Sequence, residues 1–161
     1  ATGRPPFKAL VTHGFIVDKD GRKMSKSLGN GIEVEDLLKE AGAEVCRWWV
    51  SSVPYEGDIK VDMGFFATAG EGYRKVRNTV RYLLSNLYDY RPAADESAQL
   101  AKIDPQSIDG WALGEFAKVQ AAVIAAYRAS DFRTAHVALF DFCNATLSAE
   151  WFAAKIGRAH V

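Results

Sequence analysis

The chain has 161 residues, and its 20 Lys and Arg residues equal its 20 Asp and Glu residues, so the global charge argues neither for nor against a nucleic-acid partner. Hydrophobic residues make up 48% of the sequence and charged residues 25%, which is typical of a soluble globular protein. No apolar run approaches the roughly 20 residues that a membrane span needs, so we expect a cytoplasmic protein without a membrane partner.

The two cysteines carry no sign of a disulfide framework or a zinc site. Cys46 and Cys143 are isolated, and neither has a second Cys or a His at ligand spacing. We interpret both as small buried hydrophobic residues and expect no metal site.

Both ends of the sequence are unusual. The chain begins with Ala1-Thr2-Gly3 rather than Met, which favours an internal piece of a longer protein. Residues 156–161 resemble a translated sequencing adapter, and we expect them to be a non-native tail.

The first third of the chain predicts short elements around a loop. Residues 8–17 are rich in β-branched and aromatic side chains and precede a turn signal at 18–21, so a strand entering a hairpin is predicted. Residues 22–31 combine basic, hydroxyl and glycine residues with little apolar content, which indicates a mobile loop. Acidic residues then favour the start of a helix, which Gly42 interrupts and which resumes over residues 43–52. Residues 53–64 are interpreted as a connection.

Long helices follow. Apolar residues recur at the spacing of one helical face, with a polar linker at 92–107 after the first stripe. The predicted stripes run over residues 73–90, 113–127 and 132–151. Because such stripes must pack together, we predict a mainly α protein in which a small α/β piece precedes an α-helical bundle.

The sequence most informative about chemistry is Lys23-Met24-Ser25-Lys26-Ser27, between glycines at 21 and 29. Two ammonium groups on a hydroxyl-rich loop can reach a polyphosphate while the loop wraps around it. When a carboxylate attacks the α-phosphorus of ATP, negative charge gathers on the phosphoryl oxygens, so positioned cations contribute most in the transition state. For an arbitrary pair of lysines, the alternative is a solvated basic surface loop.

These five residues match the KMSKS signature letter for letter, and the loop resembles that of class I aminoacyl-tRNA synthetases. The resemblance implies that Lys23 and Lys26 are catalytic, with Lys26 in the more direct ATP contact. It implies that Met24, Ser25 and Ser27 complete the ATP-binding set, and that Mg²⁺ accompanies the phosphates. A nucleophilic side chain is not needed, because the amino acid supplies the nucleophile.

Residues outside the loop resemble the isoleucyl family. Segments 11–18, 42–52 and 55–58 are similar to its sequence around the loop, and 73–84 to a helix of its anticodon-binding domain. The likeness covers roughly residues 8–155, with departures at 65–72 and 150–152. It implies the C-terminal end of a Rossmann-type catalytic domain over 1–62, and the N-terminal part of a helical anticodon-binding domain over 63–155.

This resemblance implies a fragment of an isoleucine–tRNA ligase, whose parent activates isoleucine with ATP and transfers it to tRNA(Ile). The implied partners are tRNA(Ile), ATP and isoleucine, and the parent is expected to be monomeric. The family's second ATP-binding signature, His-Ile-Gly-His or a variant, is absent, so the isolated chain is expected to be inactive. The alternatives are a valyl- or leucyl-tRNA synthetase fragment and a non-catalytic helical RNA-binding module.

A basic stripe on the first long helix is a second candidate site. Arg74, Arg77 and Arg81 recur at helical spacing with Lys75 nearby, so an RNA backbone could lie along them. Simple solvation or pairing with local acids is the alternative for each residue.

Four aromatic or imidazole side chains are given structural interpretations. His136 falls on an apolar stripe and is interpreted as a packed histidine, whereas His13 has no partner acid in sequence. Trp48 and Trp49 are interpreted as core residues rather than a ligand platform.

Overall fold

A computed structural model describes residues 3–92 and 94–157 of the chain. Its elements in chain order are β1 (Ile16–Val17), a 3₁₀ turn (Lys26–Leu28), α1 (Val34–Glu40), α2 (Ala43–Ser52), β2 (Ile59–Lys60), α3 (Met63–Ser85), α4 (Glu96–Leu100), α5 (Ile108–Arg128), α6 (Phe132–Asp141), a π-helical segment (Phe142–Phe152) and α7 (Ala153–Gly157). The prediction of a mainly α protein is therefore confirmed. Within the described residues, none of the helices combines the length and the hydropathy that a bilayer span demands.

The predicted strand over residues 8–17 is reduced to β1. This strand pairs in parallel with β2, with Ile16 opposite Ile59, and the expected hairpin is reduced to one antiparallel bridge between Val17 and Lys23. The prediction was wrong because β propensity does not say which segment a strand will pair with. The partner strand, β2, lies in residues 53–64, which were interpreted as a connection.

Gly14 lies where the segments leading into β1 and β2 approach each other. Its N–H donates to the carbonyl of Tyr55 at 2.9 Å, and a Cβ placed on it would lie 2.1 Å from the carbonyl oxygen of Gly57. The next N–H, of Phe15, donates to the carboxylate of Asp58 at 2.9 Å. The missing side chain at residue 14 therefore allows the parallel pairing that positions the turn after β1.

The helices α1 and α2 form as predicted, on either side of Gly42. This residue has a φ of +81°, which glycine adopts without strain. A hydrophobic cluster then joins α2 to the start of α3 through the buried residues Trp49, Val61 and Phe66, with Met24 of the loop packed against them. The loop is thus attached to the core by one apolar side chain.

The helix α3 begins at Met63, well before the predicted start at Tyr73. Asp62 caps it by accepting a hydrogen bond at 2.8 Å from the N–H two residues further on. The stretch 65–72, where the sequence departs from the resembled family, is helical, and its residue Phe66 is buried against Trp49 of α2. The predicted boundary was wrong because tertiary packing outweighs the low helix propensity of glycine.

The far end of α3 also differs from the prediction. The helix ends at Ser85 rather than near Tyr90, and the side-chain amide of Asn86 donates to the carbonyl of Tyr82 at 2.8 Å. The predicted linker follows but contains α4, which Asp95 caps through its side chain. Ser107 caps α5 in the same way, so local capping sets these boundaries.

The third predicted helix is continuous from α6 through the π-helical segment into α7. Its buried residues Phe142, Leu147 and Phe152 recur every five positions, a spacing that the wider π geometry places on one face. Ser148 donates to the carbonyl of Cys143, five residues earlier, at 2.7 Å, and its hydroxyl lies 3.1 Å from that of Thr79 in α3. The sequence departure at 150–152 therefore falls in an irregular helical turn.

The interpretation of the core residues is largely confirmed. Trp49 and Cys143 are buried, whereas Trp48 and Cys46 are half-buried at the edges of the packed regions. Of the predicted tail, residues 156 and 157 complete α7, and residues 158–161 lie outside the described residues.

Replacing Gly14 by Ala should lower the free energy of unfolding by about 1–3 kcal/mol, because the added methyl group meets backbone atoms that cannot move independently. Urea denaturation of the purified chain measures this change. Gly31→Ala is the matched control, since nothing lies within 4 Å of a Cβ at that position. Equal effects of the two substitutions would contradict the close approach.

Candidate functional site

A buried carboxylate holds both ends of the 23–27 loop. Asp18 accepts hydrogen bonds from the N–H groups of Asp20 and Arg22 at 3.0 and 2.8 Å, which fixes the turn before the loop. Its second oxygen accepts from the Nε of Arg22 at 3.1 Å and from the side-chain amide of Asn30 at 2.8 Å. Since Asn30 follows the loop, one carboxylate ties its entrance to its exit.

The side chain of Asn30 also bonds to the backbone of the loop. Its side-chain oxygen accepts from the N–H of Ser25 at 3.0 Å, and its amide also lies 3.3 Å from the carbonyl of Lys23. Both polar atoms of the Asn30 side chain therefore form hydrogen bonds, and these fix the orientation of its amide.

The hydrogen bonds to Asp18 favour its charged form. The side-chain hydrogen bond from Asn30 is the largest cause, followed by the backbone N–H of Arg22, and together they lower the pKa of Asp18 from 3.8 to about 2. The carboxylate stays ionised throughout the neutral range. A charge here needs such partners, because Asp18 is only 7% exposed.

The backbone of the loop is shaped by local caps. The Ser25 side chain accepts from the N–H of Leu28 at 3.3 Å and so begins the 3₁₀ turn. Gly29 ends the turn at a φ of +62°, and its N–H donates to the carbonyl of Lys26 at 3.2 Å. The hydroxyl groups of Ser25 and Ser27 lie 3.2 Å apart on the same side of this turn.

The loop exposes two ammonium groups on this ordered backbone. Lys23 and Lys26 are exposed, and neither forms an ion pair with any residue in the described ranges. The third basic residue, Arg22, is different, because it pairs with Asp18 and Asp20 at 3.1 and 2.8 Å. Two uncompensated positive charges are thus available to a polyanion such as a triphosphate.

The basic stripe lies on the exposed surface of α3. Arg77 and Arg81 form no ion pair within the described residues, whereas Arg74 pairs with Glu71 one turn earlier. Lys75 points elsewhere: successive helix positions differ by about 100°, and its ammonium lies 5.8 Å from the centre of the Phe140 ring. The three arginines therefore share one face of the helix, and Lys75 belongs to the neighbouring face.

The histidines occupy separate places. His13 is exposed, and its Nδ1 lies 2.7 Å from the carbonyl oxygen of Gly14. His136 is half-buried, as its position on an apolar stripe predicts, and burial lowers its pKa. Within the described part of the chain, no group of three or more His, Cys, Asp or Glu residues could hold a metal ion.

Sequence reasoning missed Asp18 and Asn30 as site residues. Asp18 was interpreted only as part of a turn signal, and Asn30 only as a residue after the motif. Asp18 did have a local signal, because an Asp in a turn often accepts a hydrogen bond from the backbone N–H two residues later and forms an Asx turn. The pairing of residues 18 and 30 has no such signal, because it depends on the path of the loop between them.

The loop lies in a part of the chain that matches a known protein family. Residues 1–62, which contain the whole loop together with Asp18 and Asn30, match the family described as tRNA synthetases class I (I, L, M and V). Over these residues the chain is similar to the class I tRNA synthetases. It is 45% identical over 148 residues to the isoleucine–tRNA ligase of Desulforudis audaxviator strain MP104C, and 44% identical over 149 residues to that of Desulfitobacterium hafniense strain DCB-2.

These alignments cover 92% of this chain but only 16% of each relative. The chain therefore spans about one sixth of the length of the curated relatives it matches. Its fold is also similar to part of the Agrobacterium radiobacter K84 agnB2 LeuRS, in the crystal structure of a ternary complex with tRNA and LeuAMS, with a TM-score of 0.70 and 20% identity. That likeness covers 91% of this chain and 17% of the other, and it concerns the fold.

The contribution of Asp18 to the stability of the chain should depend on pH. Because the pKa of Asp18 falls on folding, its contribution is fully present above pH 3.8 and is lost as the pH falls through about 2. The difference in free energy of unfolding between the wild type and Asp18→Asn should therefore shrink over this interval. Urea denaturation at a series of pH values measures it, and a difference that grows on acidification would contradict the assignment.

Proposed function

We propose that the chain is the segment of an isoleucine–tRNA ligase that stabilises the transition state of isoleucine activation through the 23–27 loop. The observation that carries this proposal is the pair of uncompensated ammonium groups, Lys23 and Lys26, on a loop whose ends are fixed by Asp18. Similarity to isoleucine–tRNA ligases over 92% of the chain supports isoleucine as the amino acid.

The proposed chemistry needs charge rather than a protein nucleophile. The carboxylate of isoleucine attacks the α-phosphorus of ATP, the bond to the β-phosphate bridging oxygen breaks, and isoleucyl-adenylate and pyrophosphate form. Negative charge increases on the phosphoryl oxygens and on the leaving pyrophosphate, where Lys26, and then Lys23, would be placed. The hydroxyl groups of Ser25 and Ser27 supply further hydrogen-bond donors. Met24 attaches the loop to the core by packing against the buried cluster of α2 and α3.

We assign Mg²⁺ to the phosphates of ATP rather than to side chains of this segment. Residues 3–92 and 94–157 contain no cluster of three potential ligands that could hold the ion. The bound ion would neutralise phosphate charge, and the role left to the chain is to supply cations and hydrogen-bond donors.

We assign residues 1–62 to the C-terminal end of a Rossmann-type catalytic domain and residues 63–155 to the N-terminal part of a helical anticodon-binding domain. The parallel pairing of β1 and β2 supports the first assignment. The packing of α3, α5 and α6 with the π-helical segment supports the second. The isolated segment is expected to be inactive, and the complete enzyme to be a cytoplasmic monomer.

The transfer of isoleucine to tRNA(Ile) would use the helices. We propose that the RNA backbone follows Arg77 and Arg81, which lack ion-pair partners within the described residues, and that Arg74 joins them when its pair with Glu71 opens. Lys75, on the neighbouring face, would contact a different part of the RNA.

Two other functions fit less of what is observed. A valyl- or leucyl-tRNA synthetase would share the fold and the loop, but the relatives with 45% and 44% identity are isoleucine–tRNA ligases. A non-catalytic RNA-binding module would explain the arginine face but not a loop with two free lysines held by a dedicated carboxylate. ATP–pyrophosphate exchange by the full-length enzyme with isoleucine, valine or leucine separates the three.

Replacing Lys26 by Ala in the full-length enzyme should reduce isoleucine-dependent ATP–pyrophosphate exchange by about 100-fold, while isoleucine binding changes little, because the ammonium acts mainly on transition-state charge. Lys19→Ala is the matched control, since Lys19 is an exposed lysine in the preceding turn. Exchange rates and the dissociation constant of isoleucine are the measurements. Parallel losses in both would contradict the role, and exchange with valine alone would contradict the amino acid.

Replacing Arg77 and Arg81 together by Ala should weaken tRNA binding and lower the slope of log K against log salt by about 1.5, as expected for two lost phosphate contacts. Pyrophosphate exchange should remain unchanged, because activation precedes tRNA use. Arg128→Ala, an exposed arginine at the end of α5, serves as the control. Unchanged tRNA affinity in the double variant would remove this face from the RNA interface.

A further inference from the structure

A second concave site lies away from the loop, where α2 faces α5 and α6. It is a cleft of about 390 Å³, within the size range of small-molecule sites. Its walls are largely aromatic, from Trp48, Tyr73, Tyr127, Phe132 and the imidazole of His136. The rings of Trp48 and His136 are 4.0 Å apart, and those of Tyr127 and Phe132 are 5.4 Å apart. The cleft therefore offers planar apolar surfaces of the kind on which a flat ring stacks.

A chain of hydrogen bonds sets the tautomer of His136. The hydroxyl of Ser51 donates its one proton to the carbonyl of Trp48 at 2.8 Å. With that proton engaged, the contact of 3.0 Å between the Ser51 oxygen and Nδ1 of His136 is satisfied when the imidazole carries its proton on Nδ1. In the neutral ring the proton accordingly lies on Nδ1, and Nε2 carries a lone pair.

That lone pair is available to a ligand. Nε2 forms no hydrogen bond within the described residues, yet no buried side-chain nitrogen or oxygen there lacks a partner, so Nε2 is reached by solvent. Burial lowers the pKa of His136, which keeps the ring neutral at pH 7. His136, which lines the cleft, therefore keeps a solvent-accessible acceptor atom.

The rim of the cleft adds one charge of each sign. Glu44 and Arg47 of α2 are both exposed, and neither forms an ion pair within the described ranges. Together the cleft presents aromatic faces, a neutral acceptor, a carboxylate acceptor and a guanidinium. This set is complementary to a planar ring with N–H donors on its edge and a phosphate nearby.

We propose that this cleft binds an unpaired nucleobase carrying an exocyclic amine, with the base stacked on the aromatic walls, its amine donating to Nε2 of His136, and its phosphate near Arg47. The site is separate from the 23–27 loop and does not depend on the function proposed for that loop. The base can come from a free nucleotide or from a single-stranded stretch of RNA, which present the same chemistry.

NMR titration of the complete 161-residue chain with cytidine and uridine 5′-monophosphates tests the proposal. The two bases differ along one edge. Cytosine has an amine at C4 and an unprotonated N3, whereas uracil has a proton on N3 and, at C4, a carbonyl oxygen that would face the Nε2 lone pair. The chain has only three histidines, so the ring signals of His136 are readily resolved. Cytidine monophosphate should shift them with a dissociation constant on the order of 1 mM, and uridine monophosphate should bind several-fold more weakly.

Two variants of His136 separate the acceptor from simple packing. His136→Asn keeps a donor in the position of Nδ1 but removes the acceptor, so binding should fall by about three- to tenfold. His136→Gln places an amide oxygen near the position of Nε2 and should retain most of the affinity. Tyr127 ring signals report binding in both, circular dichroism checks their folding, and Lys19→Ala, at an exposed lysine, should bind cytidine monophosphate like the wild type.

A tetracytidylate RNA identifies the source of the base. Binding much tighter than that of the mononucleotide, and weakened by salt, would assign the site to an RNA strand, whereas equal affinity would assign it to a free nucleotide. The proposal is overturned if neither ligand shifts the His136 signals, if cytidine and uridine monophosphates bind equally, or if the Asn and Gln variants lose affinity equally.

Discussion

The arrangement of the loop depends on one buried carboxylate. Asp18 accepts four hydrogen bonds, two from backbone N–H groups of its own turn and two from the side chains of Arg22 and Asn30. A carboxylate in a site this enclosed would be costly without such donors, and with them it joins two residues that are twelve positions apart in sequence. The two ends of the loop are thereby held together, while Lys23 and Lys26 form no ion pair within the described residues.

The same loop is connected to the helices by contiguous packing. Met24 lies on the cluster formed by Trp49, Val61 and Phe66, which joins α2 to α3. On the other side of α2, Ser51 contacts His136 of α6 at 3.0 Å. A displacement of α2 would therefore move both the residues that pack against Met24 of the loop and the residues that line the aromatic cleft, because packed side chains transmit such shifts.

Some features could be predicted from the sequence because their causes are local. The spacing of apolar residues gave the long helices, and the lysines of the 23–27 loop were recognisable without any fold, since a phosphate clamp needs particular residue types in a short stretch. The start of α3 and the length of β1 were not predictable in this way. The start of α3 is held by the packing of Phe66 against Trp49 of α2, and β1 exists only where β2 reaches it.

The sequence by itself determined the helical character of the chain, the position of its basic loop and the family whose loop it resembles, because these depend on neighbours along the chain. Only the tertiary structure decided that Asp18 and Asn30 meet across the loop, and that His136 of α6 and Trp48 of α2 line one aromatic cleft. Each of these is a contact between groups far apart in sequence or on different elements. Periodicity and propensity carry no information about such pairs, because the distance between them is set by how the elements pack.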